Sequence, residues 1–191
     1  MLTLGFDTSA GHCAAALLSG DVIQGARAEE MTKGQAEALF PLLEALLSDA
    51  GRTWADLDRI GVGIGPGNFT GIRIAVSAAR GLALSLDIPA IGVSTFDVIA
   101  QTAPDRPAAV PAPRGMIYLR TTPGADPQLV AAETAPGVAL PPPPADWAAA
   151  IARHAAGTTP GASPAPLYLR PADAAPARDA PPDIVADAAQ S

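Results

Sequence analysis

The chain has 191 residues, 49% of them hydrophobic but only 4% aromatic, so it can bury a core of aliphatic side chains in one or two small domains. A net charge of −7 excludes it as a lone holder of a phosphate backbone, because that affinity comes mainly from Lys and Arg. Its single cysteine, Cys13, excludes an internal disulfide, and no uninterrupted apolar run reaches the ~18 residues of a membrane span. Met1–Asp7 lacks a basic leader and is broken by Asp7, so the cytoplasm is the expected compartment.

Leu2–Asp7 reads as a short buried strand that ends in the turn cluster Thr8-Ser9-Ala10-Gly11. His12–Ser19 is a second strand of small apolar residues, Gly20-Asp21 a two-residue turn, and Val22–Ala28 a third strand. The three predict an antiparallel meander carrying Asp-Thr-Ser at its first turn. A helix follows over Gly34–Ala50, with Leu39, Leu42, Leu43, Leu46 and Leu47 at the spacing of one amphipathic stripe. Phe40 falls outside the stripe. Pro41 removes a backbone donor inside the helix and predicts a kink or a restart, and Gly51 sits where a C-terminal cap belongs.

Thr53–Leu57 reads as a turn of helix and Arg59–Ile64 as a strand. The glycine loop Gly65-Pro66-Gly67-Asn68-Phe69-Thr70-Gly71 comes next. Ile72–Leu86 is a helix with Ile72, Val76, Ala79 and Ala83 on one side, Ile88–Val93 a strand, and Thr95–Gln101 the start of another helix. Strand–loop–helix–strand implies a parallel crossover, so the expected fold is α/β: a mixed sheet, meander plus parallel strands, with helices on it.

Composition changes near residue 102, beyond which 18 of the 21 prolines lie. The chain is therefore divided into residues 1–102, a reduced proline-rich second lobe over 103–171, and a flexible or weakly packed tail over 172–191. In the second part, Met116–Thr121 and Gln128–Glu133 read as strands. Trp147–His154 reads as a short helix opened by Asp146, and Pro141–Pro144 as extended backbone.

Two features point to chemistry. The glycine loop enters a helix, where free N–H groups and the helix dipole suit an anion. No Lys follows its last glycine, and Asn68 stands where a dinucleotide fold would need its third glycine, so motif spacing favours a tight structural turn packed closely on the helix. Asp7-Thr8-Ser9 could hold a cation and phosphate oxygens, or form a turn that satisfies its own backbone. The candidate anion site is thus Asp7, Thr8, Ser9, Gly65, Gly67, Asn68, Thr70 and Gly71. His12 and His154 are far apart and read as lone surface or edge residues, so no metal site is predicted. Cys13 reads as a small core residue, and Glu37 and Glu44 as solvated. The leucine-rich face around Phe40 is broad enough for a second buried side against a partner.

Five segments match in order and spacing a family known from its motifs. They are Leu4-Gly5-Phe6-Asp7-Thr8-Ser9, Gln35-Ala36-Glu37-Ala38-Leu39-Phe40-Pro41-Leu42-Leu43, Ile64-Gly65-Pro66-Gly67-Asn68-Phe69-Thr70-Gly71-Ile72-Arg73-Ile74, Gly81-Leu82-Ala83-Leu84 and Ile91-Gly92-Val93-Ser94-Thr95-Phe96. Over about the first hundred residues the chain resembles the TsaB (YeaZ) family, and Pro166-Leu167-Tyr168-Leu169-Arg170-Pro171 is similar to that family's C-terminal signature.

The resemblance implies an actin/Hsp70/sugar-kinase-like (ASKHA, ribonuclease H-like) fold in two lobes. It implies a non-catalytic scaffold in the synthesis of N6-threonylcarbamoyladenosine at adenosine 37 of tRNA. The implied partners are the catalytic paralogue TsaD and the ATPase TsaE, with tRNA met only through the complex and a homodimer when the chain is alone. The pairing surface it implies lies on the first two helices: Gln35, Leu39, Leu42, Leu43, Leu46, Arg73, Val76 and Arg80. On that reading Leu43→Glu would abolish pairing and leave the fold intact.

No cofactor is implied for this chain alone; ATP or ADP and Mg²⁺ would belong to the assembled complex. Where the paralogue carries two metal-binding histidines, this chain has Thr95 and Ile99. The chain departs from the family at Gln35, often histidine, and at Pro111-Ala112-Pro113-Arg114-Gly115 before Tyr118, where an acidic residue is missing. The alternatives are an ATP-dependent kinase or metallo-glycoprotease of the same fold, or a plain structural homodimer. Kinase chemistry needs a base, phosphate loops and Mg²⁺ ligands together, of which only Asp7 and one glycine loop are found.

Overall fold

In the computed structural model residues 1–169 are described. The expected tail over 172–191, and Arg170-Pro171 of the terminal motif, lie outside them. Strands β1 (Leu2–Asp7), β2 (His12–Ser19) and β3 (Val22–Glu30) form the predicted antiparallel meander, with Leu4 opposite Leu17 and Ala16 opposite Ala26. Strand β4 (Arg59–Gly63) adds to β1 in parallel, and β5 (Ala90–Val93) adds to β4 in parallel. The sheet order is β3-β2-β1-β4-β5. All of β1 and all of β2 but its last residue are buried, as strands covered on both faces must be.

Helix α1 (Gln35–Asp49) and helix α2 (Phe69–Leu86) pack with β1, β2 and β4 around one largely aliphatic cluster, Leu4, Leu17, Leu43, Ile60 and Val62 among it, with Phe6 as its buried aromatic ring. Pro41 does not restart α1, which runs unbroken through it. Pro41 is exposed while the leucine stripe faces the sheet, so burial of the stripe outweighs one missing hydrogen bond on the solvent side. Gly51 takes a positive φ of 62° at the end of that helix, as expected of a terminating glycine. Helix α2 starts earlier than the periodicity predicts. Asn68 Oδ1 accepts from the Gly71 amide at 2.9 Å and caps the helix, so Phe69, Thr70 and Gly71 are its first turn rather than loop.

The other face of the same sheet is covered from the proline-rich half. Helix α3 (Thr95–Thr102) is followed by a small antiparallel sheet of β6 (Ala108–Ala112), β7 (Met116–Arg120) and β8 (Gln128–Ala131). Then α4 (Pro144–Gly157) returns to lie on β1, β2 and β4. Gly5 and Gly61 are where it crosses. A Cβ on Gly5 would stand 2.6 Å from the Ala152 amide nitrogen, and one on Gly61 would stand 2.7 Å from Ala155 Cβ. Glycine on the strands and alanine on the helix thus let two backbones come together. Arg59 Nη1, on β4, donates to the carbonyls of Ala155 (2.6 Å), Ala156 (3.2 Å) and Thr158 (2.6 Å), placing a cation on the negative end of α4.

The division at residue 102 therefore does not follow the packing, because a helix from the second segment completes the core of the first. Helix α4 also extends beyond the predicted Trp147–His154 at both ends. It begins at Pro144, a residue pre-set for a first helical turn, so that proline is helical rather than extended. Strand β6 is not anticipated from sequence.

Candidate functional site

The Asp7-Thr8-Ser9 turn and the glycine loop meet at the C-terminal ends of β1 and β4. Asp7, Thr8 and Ser9 are all fully buried. Asp7 Oδ1 accepts from the Ser9 amide (2.8 Å) and Ser9 Oγ (2.9 Å) and lies 2.9 Å from His12 Nε2. A buried carboxylate requires such partners. His12 is thus a correction: it is not a surface or edge histidine but 97% buried, with its ring edge-on to Trp147 at 5.2 Å between centroids. The hairpin register contains the signal. Asp7 pairs with Ala14, and His12, two residues earlier on β2, shares Ala14's face and therefore that of Asp7.

Thr8 Oγ1 donates to the Gly71 carbonyl at 2.7 Å, and the Asn68 amide donates to the Ser9 carbonyl at 2.6 Å. A Cβ on Gly71 would lie 1.9 Å from the Thr8 carbonyl oxygen, and one on Gly67 would lie 2.3 Å from that of Ser9. Gly65 accepts through its carbonyl from the Thr95 amide at 2.9 Å, while Thr70 is exposed on the first turn of α2. The structure therefore brings Asp7, Thr8 and Ser9 against Gly67, Asn68 and Gly71, with the Thr8 hydroxyl and the Asn68 backbone amide joining one turn to the other and the Ser9 hydroxyl held by Asp7 within its own turn. Asp7 Oδ2 is covered and has no hydrogen-bond partner among the described residues, and a Cβ on Gly63 would overlap it at 1.8 Å. This arrangement does not fit a Mg²⁺-nucleotide held through Asp7. It is the tight structural turn that the motif spacing favours.

Beside the loop lies a cleft of about 1090 Å³, between the start of α2 and the small sheet. Ser9, Gly67, Phe69 and Ile72 form one wall, and Val110, Pro111, Tyr118, Trp147 and Leu169 the other. Among the described residues Arg73 is its only charged lining residue; its guanidinium lies 3.8 Å from the Phe69 ring centroid and its Nε donates to Tyr168 Oη at 2.8 Å.

The predicted pairing surface divides in two. Val76 and Gln35 are buried but outside the leucine cluster, Val76 lining a small pocket with Arg73 and Arg80 and Gln35 lining the cleft, whereas Leu39, Leu42, Leu43 and Leu46 are 1%, 3%, 0% and 2% exposed. These side chains are the core cover of the sheet and cannot also meet a partner, so their assignment to an interface is corrected. Arg73 and Arg80 do stand in solvent. With Ser77 and Leu84 they form an exposed stripe on α2 at helical spacing, ending in Leu84, which is 87% exposed. By length and composition alone, α2 is the one helix among the described residues long and apolar enough to cross a membrane. On α1 the outward residues are Phe40, tilted on Trp54 at 6.3 Å, Pro41, Glu37 and Glu44.

Cys13 is fully buried and its thiol is pushed up to about 12, first by desolvation and then by the charges of Glu29 and Asp7. No group of three or more His, Cys, Asp or Glu placed to hold a metal occurs among the described residues. Thr95 donates through its hydroxyl to the Pro66 carbonyl at 3.0 Å, and Ile99 is fully buried against Phe96 and Val110.

The family model for TsaD, tRNA N6-adenosine threonylcarbamoyltransferase, matches residues 22–120. The tRNA threonylcarbamoyladenosine biosynthesis protein TsaB of Buchnera aphidicola (Schizaphis graminum) is 38% identical over 102 residues, 53% of this chain and 48% of that protein. The Escherichia coli protein of the same name is 35% identical over 103 residues, 54% of this chain and 44% of that one. The matched stretch therefore spans under half the length of these relatives. The solved structure of YeaZ from Pseudomonas aeruginosa superposes with a TM-score of 0.72 at 26% identity, covering 88% of this chain and 99% of that one. The mixed sheet is thus of the ASKHA type, as expected. On these matches the chain belongs to the TsaD (tRNA N6-adenosine threonylcarbamoyltransferase) family, within which it is similar to the proteins named TsaB and YeaZ.

Proposed function

We propose that this chain is a non-catalytic scaffold subunit in the bacterial synthesis of N6-threonylcarbamoyladenosine in tRNA, pairing with TsaD and, through that pair, with TsaE. The observation that carries this reading is the state of the loop that an ASKHA enzyme would use. Its Gly67 and Gly71 are locked against Ser9 and Thr8, while α2 keeps an arginine-bearing face ending in Leu84 open to solvent. Thr95 and Ile99 stand where the paralogue's two metal-binding histidines fall, and both side chains are already engaged inside the chain.

The pairing surface under this proposal is Arg73, Ser77, Arg80 and Leu84 of α2, and no longer the leucine stripe. Arginines flanking an exposed apolar residue are the composition of an interface core and its rim. The same face would close a homodimer when the chain is alone. ATP or ADP and Mg²⁺ belong to the assembled complex, tRNA is met through TsaD, and the compartment is the cytoplasm.

Co-purification with TsaD tests the proposal. TsaD should be retained by this chain and released by Leu84→Glu, and light scattering should show the homodimer give way as TsaD is added. Mg-ATP turnover by the lone chain would overturn the scaffold reading in favour of an enzyme.

A further inference from the structure

We infer that the segment over residues 164–169 completes the exposed face of α2 and builds on it a notch for a carboxylate side chain of the protein that pairs there. The inference rests on the pairing reading above and names the chemistry of one of its contacts. Arg73, Ser77 and Arg80 follow one another about a turn apart on the solvent side of α2. With Val76 and Pro166 they line a pocket of about 360 Å³. Pro166 lies 86 positions or more from those helix residues along the chain, so the notch exists only because the segment returns to α2.

The segment is tied down on both sides of Tyr168. The Leu167 amide donates to the Ile64 carbonyl at 2.8 Å, and Leu169 packs against the cluster of Phe96, Ile99, Val110 and Tyr118. Between them the Tyr168 ring lies 4.8 Å from that of Phe69, and its hydroxyl accepts from Arg73 Nε at 2.8 Å. The Arg73 guanidinium is thereby laid on the Phe69 ring with one N–H engaged and its two terminal amino groups left to pair outward. An arginine that is ordered before its partner arrives loses less side-chain freedom on binding. Tyr168 is on this account a positioning residue, acting through Arg73.

Charge identifies the occupant. Neither Arg73 nor Arg80 forms an ion pair among the described residues, although acidic residues outnumber basic ones 19 to 12 in the chain. Two exposed arginines without an acid of their own call for one from outside. Guanidinium forks match a carboxylate through paired N–H bonds, and the Ser77 hydroxyl between them can donate one more. A nucleic-acid backbone is the poorer occupant, because it would meet two arginines here and a net charge of −7 over the whole chain.

The test measures the affinity of TsaD for the immobilised full chain. Arg73→Gln and Arg80→Gln alter exposed side chains and should each weaken it about 30-fold or more. Tyr168→Phe, which keeps the ring and removes the hydroxyl, should weaken it roughly 2- to 10-fold, and should add nothing once Arg73 is glutamine. Among single Asp→Asn and Glu→Gln variants of TsaD, one should lose no further affinity against the Arg80→Gln chain, marking the acid seated in the notch. Equal weakening by Tyr168→Phe in both backgrounds, or no acid of TsaD coupled to Arg80, overturns the inference. So does bulk tRNA held by the lone chain and released by Arg80→Gln while TsaD binding is unchanged, which would make the notch a phosphate site. TsaD held at parental strength by both arginine variants but released by Leu84→Glu overturns this inference alone. A parent chain that does not hold TsaD overturns the pairing reading and the inference with it.

Discussion

Truncating Leu43 and Leu84 in parallel separates the two faces that a helical stripe can present. Leu43 is fully buried among β1, β2 and β4, so Leu43→Ala removes a core side chain and leaves a cavity. Such changes cost about 2–5 kcal/mol, a large share of the ~5–15 kcal/mol that holds a domain together. In a chain of this size each kcal/mol lowers Tm by roughly 2–4 °C. Leu84 is 87% exposed, and truncating it should alter stability by less than about 0.5 kcal/mol. Urea unfolding followed by circular dichroism reads both, and retention of TsaD on the immobilised chain reads pairing. Leu43→Ala should lower the midpoint and, at a temperature where it is folded, still hold TsaD. Leu84→Glu should leave the midpoint in place and lose TsaD. The reverse pattern, a stable Leu43→Ala that no longer pairs, would refute the division of the stripe. Leu43→Glu, which buries a carboxylate without a partner, should unfold the chain rather than merely uncouple it.

Gly71→Ala should destabilise by at least the ~1–3 kcal/mol typical of overpacking, because its Cβ would fall 1.9 Å from a backbone carbonyl that cannot swing aside. Thermal unfolding reads the loss, and a variant as stable as the parent would show that the loop is not clamped to the Asp7 turn. Cys13 should resist thiol reagents at neutral pH in the folded chain and react on unfolding. Its folded pKa of about 12 exceeds the ordinary 9.0, so its contribution to stability is complete below pH 9 and declines as pH rises from 9 towards 12. Urea midpoints across that range check the slope, which Cys13→Ala should lessen.

How much was legible in the sequence depended on whether the signal was local. The meander, the β4–α2–β5 crossover and the cap-like Gly51 all follow from periodicity and turn chemistry within a few residues of one another. The leucine stripe on α1 shows equally well that one face is buried, but not what buries it; only the placement of α1 on β2 and β3 decides for core over partner. Helix α4 was underestimated for the same reason. Its alanines give a weak periodic signal, and the glycines that receive it, Gly5 and Gly61, lie some ninety or more residues away along the chain. Strand β6, Ala-Ala-Val-Pro-Ala, carries a proline that reads against a strand, yet pairs with β7 along its length. In the site, the glycine loop and Asp7-Thr8-Ser9 were found separately as possible ligand holders. Their use on each other needed the parallel pairing of β1 with β4 to come into view, whereas His12 beneath them follows from the register of the β1–β2 hairpin.

The central claim is tested most directly in cells depleted of their own TsaB and supplied with this chain, by mass spectrometry of threonylcarbamoyladenosine in bulk tRNA. The account predicts that the modification returns with the parent chain and fails with Leu84→Glu, while both proteins accumulate to the same level. Tracts of unmodified tRNA in cells that hold the folded parent chain bound to TsaD would contradict it, as would full restoration by Leu84→Glu.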